Sequence, residues 1–111
     1  MRIELASAKF LDDLIKFSET VERGFISLLF YSPWEEIHLS CIELAEKLDL
    51  SDFYYVNIFE FPELTCKFKI TRAPCLVTMN SKKIQVVDIP SAIIRELKYL
   101  NRANLSTARS S

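Results

Sequence analysis

The residues best able to do chemistry in this 111-residue chain are three cysteines and one histidine. Cys41, Cys66 and Cys75 are separated by 25 and nine residues, a spacing that fits neither a Cys-x-x-Cys redox pair nor a zinc-ligand pattern. An odd, sparse set of thiols is also no disulfide framework. Glu35-x-x-His38 places a carboxylate and an imidazole on one helical face, as ligand pairs in some di-metal bundles do. A single copy is too little for a metal site, and a lone histidine cannot form a two-His site. No nucleophile motif accompanies His38, so a Cys-His or Ser-His hydrolase finds no support. Gly24 is the sole glycine, which excludes a glycine-rich phosphate loop. No metal and no cofactor are expected.

Composition narrows the class further. Half of the residues are hydrophobic and 26% are charged, the balance of a globular chain. Fourteen basic and fifteen acidic residues give a net charge of -1, and no Lys/Arg run is present, so nucleic-acid binding is not expected. No apolar stretch approaches the ~18 residues that a membrane span needs. Met1 to Ala8 carries Arg2 and Glu4 and lacks the apolar run of a signal peptide. A reducing cytoplasmic or nuclear setting is the expectation.

Chemistry must be positioned by regular elements, and the apolar pattern outlines them. Met1 to Ala6 alternates weakly, as a short edge strand would. Ser7 can cap a helix whose face carries Phe10, Leu11, Leu14, Ile15 and Phe17. Phe25 to Tyr31 is almost continuously apolar and β-prone, which suits a strand covered on both faces. From Trp34 the period becomes helical, with Ile37, Cys41, Leu44, Ala45 and Leu48 on one stripe. Phe53 to Ile58 reads as a second buried strand, and Pro62 opens a short helix to Phe68. Cys75 to Met79 and Ile84 to Val87 form strands joined by a turn at Asn80-Ser81. Pro90 starts a last helix bearing Ala92, Ile93, Leu97 and Leu100. Residues 1–100 form one domain, and the polar segment 101–111 is expected to be a flexible tail. Asn104-Leu105-Ser106 fits an N-glycosylation acceptor, a match expected by chance in a chain without a secretory signal.

The resulting order, β-α-β-α-β-α-β-β-α, predicts an α/β fold with a central mixed sheet flanked by helices. It is also the thioredoxin order. Phe30-Tyr31-Ser32-Pro33-Trp34 resembles the strand-to-helix segment that introduces the active site of protein disulfide isomerase domains. Val56-Asn57-Ile58 with Pro62-Glu63-Leu64 resembles the third strand and following helix of a thioredoxin. Ile70-Thr71-Arg72-Ala73-Pro74-Cys75-Leu76-Val77 resembles the segment carrying the family's cis-proline. The resemblance to the thioredoxin-like superfamily spans roughly residues 1–100.

The departures bear most on function. Where the redox-active family has Cys-x-x-Cys, this chain has Glu35, Glu36, Ile37 and His38. Thiol exchange needs a thiolate nucleophile at the helix N-terminus and a second thiol to resolve the mixed disulfide, and neither residue type is there. The family's buried acid, six positions before the first cysteine, is replaced by Leu29. The resemblance therefore implies a redox-inactive thioredoxin-like domain, without thioredoxin-type oxidoreductase activity.

Three roles compete. The first is a protein-binding or scaffold module that uses the former active-site surface, with Trp34, His38, Ala73 and Pro74 as candidate contacts to an extended polypeptide. The second is a single-thiol redox protein or sensor built on Cys75, which follows the proline directly; a small apolar residue opening a buried strand explains the same cysteine. His38 would lower the Cys75 pKa only if the two side chains met. The third is a subunit of a homo- or hetero-oligomer, suggested by the aromatic load of Tyr54, Tyr55, Phe59 and Phe61. Cys41 belongs to an apolar stripe and is expected in the core.

Overall fold

The computed structural model describes residues 3–20, 25–34, 39–48, 50, 52–80 and 83–110, and places side chains for all of these except 17–20, 39–40 and 103–110. Its elements are α1 (Ala8–Thr20), β1 (Ile26–Tyr31), α2 (Leu39–Leu48), β2 (Phe53–Asn57), α3 (Pro62–Lys67), β3 (Cys75–Met79), β4 (Ile84–Val87) and α4 (Pro90–Ser110). The strands lie in the order β2-β1-β3-β4. β1 and β2 run parallel, with Leu29 opposite Tyr55 and Tyr31 opposite Asn57. β3 is antiparallel to β1, with Phe30 opposite Cys75, and to β4, with Leu76 opposite Val87.

Why β1 is almost entirely apolar follows from its place inside the sheet. Every one of its residues is buried. Leu29 and Tyr31 face α2 and α4, where they join Cys41, Ile42, Ala45, Ile93, Leu97 and Leu100. Leu28 and Phe30 face α1 and α3 on the other side, with Leu11 and Leu64. Successive strand residues point to opposite faces, so a strand covered by helices on both sides is apolar at nearly every step, with Ser27 its buried polar exception.

Local chemistry sets the element ends. The Ser7 hydroxyl accepts the Phe10 backbone N–H at 3.0 Å and caps α1. Prolines open α3 and α4, where a missing N–H costs nothing. After α3 the chain turns through Lys69, which has a positive φ of 55°. The Lys69 N–H reaches the Cys66 carbonyl at 3.1 Å and the Ile70 N–H the Thr65 carbonyl at 2.9 Å. That double closure normally has glycine at the left-handed position, and in this glycine-poor chain a lysine occupies it.

The structure departs from one expectation and bears in part on two more. The first strand is reduced to a bridge between Glu4 and Tyr55, held by the Leu5 N–H on the Tyr55 carbonyl and the Tyr55 N–H on the Ile3 carbonyl, both at 2.9 Å. Only two apolar side chains alternate there, too few to bury a longer strand. The Tyr31 hydroxyl adds a 2.6 Å hydrogen bond to Glu4 Oε1. The helix expected from Trp34 is described only from Leu39, and Ile37 of its stripe lies outside the described residues. The segment expected to be a flexible tail continues α4 as helical backbone to Ser110. The buried core contacts of α4 among the residues with described side chains are Ile93, Leu97 and Leu100.

Candidate functional site

Three segments come together at one end of the sheet because of the strand register. β1 leaves the sheet after Tyr31, and Ser32, Pro33 and Trp34 follow it beyond the edge of the ladder. β2 runs parallel beside it, so Asn57 to Phe61 emerge at the same end. β3 runs antiparallel and starts opposite Phe30, so Ala73 and Pro74 arrive there too. In open α/β sheets, this end beyond the carboxyl termini of the parallel strands is where ligands are received.

Each segment is fixed by backbone chemistry. Ser32 is buried and anchors the start of the loop, while Pro33 is exposed. Trp34 is 81% exposed, an unusual state for the largest apolar side chain. In the second segment the Ile58 N–H donates to the Tyr31 carbonyl at 3.1 Å, stitching the two strand ends together. Asn57 then folds the chain back: its side-chain oxygen accepts the Phe59 N–H at 2.9 Å, and its carbonyl accepts the N–H groups of Glu60 and Phe61. This turn leaves Phe59 60% exposed. In the third segment the Ala73–Pro74 peptide bond is cis, with Pro74 buried and Ala73 half-buried.

Two of the three thiols are closed to solvent. Cys75 is only 1% exposed and lies among Phe30, Val77 and Leu64 on the α1/α3 face. Burial pushes its pKa up to about 11, and the negative charge of Asp88 adds to the rise. Asp88 is itself 4.0 Å from the Arg72 guanidinium, with both side chains well exposed. About one Cys75 side chain in ten thousand is then a thiolate at neutral pH. Cys41 is fully buried between α2 and α4, and its thiol lies 3.9 Å from the Pro90 carbonyl. Cys66 is exposed on α3, and no two of the three form a disulfide. Among the described residues no three His, Cys, Asp or Glu side chains cluster as a metal site would require.

The structure therefore brings Trp34, Ala73 and Pro74 to one sheet end. Glu35, Glu36, Ile37 and His38 lie outside the described residues. Leu29, at the position of the family's buried acid, is fully buried in an apolar cluster. Phe59 is the residue that sequence reasoning left unassigned to this surface. In the sequence it belongs to an aromatic-rich stretch, and its emergence at the same sheet end as Trp34 depends on the Tyr31–Asn57 register.

No protein-family model matches the chain, and no curated protein sequence does. Solved structures do. The Malassezia sympodialis thioredoxin superposes with a TM-score of 0.70 at 15% identity, covering 91% of each chain. Reduced Schistosoma mansoni thioredoxin gives 0.70 at 16% identity over 88% of this chain and 96% of its own. Fasciola hepatica thioredoxin gives 0.67 at 20% identity over 90% and 99%. No helix among the described residues is long and apolar enough to cross a membrane. With its mixed four-stranded sheet, paired helical layers and these structural neighbours, the chain has the thioredoxin-like fold.

Proposed function

We propose that this chain is a non-catalytic, thioredoxin-fold binding module whose protein partner docks at the sheet end formed by Trp34, Phe59 and the Ala73–Pro74 turn. The observation that carries the reading is Trp34, 81% exposed just beyond the carboxyl end of β1. A large aromatic held in water is a characteristic anchor of a protein interface. The loss of both thiols from the position of the family's Cys-x-x-Cys supports binding without exchange.

The alternative, a single-thiol redox protein using Cys75, needs an accessible thiolate. Burial and the neighbouring Asp88 charge both act against one.

Affinity capture from native extract, with thiols blocked at lysis, separates the two. Partners that survive reductant and are lost on Trp34→Ala are the expected result. Partners found only without reductant, and lost on Cys75→Ser, would overturn the reading.

A further inference from the structure

The two outer strands of the sheet are finished differently. The outer side of β2 is covered by the N-terminal segment through the Glu4–Tyr55 bridge. β4 is the last strand on the other side, and no described element pairs with its outer edge. The direction of its free groups can be worked out from the hairpin. The Asn80 N–H donates to the Lys83 carbonyl at 3.0 Å, so the backbone of Lys83 points inward to β3. Alternation along an antiparallel ladder then turns Gln85 and Val87 inward as well, and leaves the N–H and C=O of Ile84 and Val86 pointing off the sheet. The same two residues carry exposed β-branched side chains, Ile84 at 61% and Val86 at 48%. Both lie on the α1/α3 face, opposite Met79 and Val77, yet neither belongs to the core cluster there.

We infer that β4 is a self-pairing edge, and that two copies of this chain join antiparallel along it to make one continuous sheet. The strand is complementary to itself. A two-fold axis through Gln85 sets Ile84 of one copy against Val86 of the other, where each donates to and accepts from its opposite. The four β-branched side chains then cover one another on a single face, as cross-strand apolar pairs do. Gln85 meets Gln85 on the other face, where two amides can bond. The ends match as well. The strand has the exposed Lys83 at its start and is followed by Asp88, so antiparallel pairing brings the basic end of each copy beside the acidic end of the other. Parallel pairing would set like ends together. A bare strand edge with apolar side chains is a template for such addition.

The test uses the full chain. Sedimentation equilibrium is expected to show a concentration-dependent dimer. Val86→Pro removes a donor that points away from the chain's own sheet, a position where an edge strand tolerates proline. Two hydrogen bonds per dimer are lost, so the dissociation constant is expected to rise about tenfold or more. Geometry gives an independent readout in a Cys66→Ser background. Gln85→Cys stands at the axis, where opposed Cα atoms are about 4.5 Å apart, and is expected to form a disulfide-linked dimer under mild oxidation. Ile84→Cys, whose copies lie beyond the ~7 Å limit of a disulfide, is expected to cross-link several-fold less. A chain that stays monomeric at its highest soluble concentration would overturn the inference. So would a dimer that Val86→Pro leaves unchanged, or cross-linking no better at Gln85 than at Ile84.

Discussion

Cys75 and Trp34 stand at the same end of the sheet in opposite physical states. Cys75 forms the last pair of the β1–β3 ladder, packed with Phe30 and Val77, with its proton held by burial. Trp34 lies three residues beyond the end of β1, in water. A thiol enzyme of this fold would need the reverse arrangement, with a reactive sulfur open and the aromatic serving it. What is closed here is the group that could do chemistry, and what is open is the group that could recognise a partner.

The contrast breaks first at the buried side. Phe30 is fully buried beneath Phe68, whose ring meets it edge-on at 6.0 Å between centroids. Phe30→Ala is expected to cost about 3–5 kcal/mol in chemical denaturation, the scale of a buried aromatic truncation. A cost below ~1 kcal/mol would mean that the α1/α3 face is not packed around β1.

The next effect is a pH dependence. The folded Cys75 thiol titrates near 11, above the ordinary 9.0. Between those values the folded chain keeps a proton that the unfolded chain releases, so stability falls as pH rises. The loss starts near pH 9, is complete past 11 and amounts to about 2–3 kcal/mol. The Tyr54 phenol, raised by burial and by Asp52, extends the decline above its own ordinary value of 10.0. Urea unfolding of Cys75→Ala across this range is expected to be flatter than that of the parent chain. Equal slopes would place Cys75 in contact with solvent.

Trp34→Ala sharpens the other half of the comparison. An exposed side chain contributes little to stability, so the expected change is about 0.5 kcal/mol or less, with loss of captured partners. Unfolding of the variant would return Trp34 to the core. The smallest effect belongs to a site outside both regions. Lys69→Gly relieves a left-handed backbone position and is expected to stabilise the chain by a few tenths of a kcal/mol, less than the ~1 kcal/mol that Gly costs in a regular element. Its partner binding should be unchanged, which a pull-down beside the parent chain would check.

Much of this fold was legible because burial on both faces leaves an apolar run. Phe25 to Tyr31 reads directly as β1, and Cys75 to Met79 matches β3 residue for residue. Prolines at positions 62 and 90 marked two helix starts, since a ring without an N–H fits there. The first strand is legible only in part, because Ile3 and Leu5 alternate whether six residues pair or two. The length of α4 is less legible, because residues 101–110 carry no clear apolar period, while their backbone is helical. Of the proposed surface, Trp34, Ala73 and Pro74 are legible through the resemblance. Phe59 is not, because its emergence at the same sheet end depends on strand register, which no local spacing encodes.

The central claim is that this end of the sheet binds through an open aromatic surface and not through a thiol. Oxidative footprinting read by mass spectrometry tests it directly, with iodoacetamide labelling of the same sample at neutral pH. The account predicts rapid Trp34 oxidation in the isolated chain, strong protection of Trp34 when a captured partner is bound, and alkylation of Cys66 but not Cys75. Rapid alkylation of Cys75, with Trp34 equally reactive in the presence and absence of the partner, would contradict it.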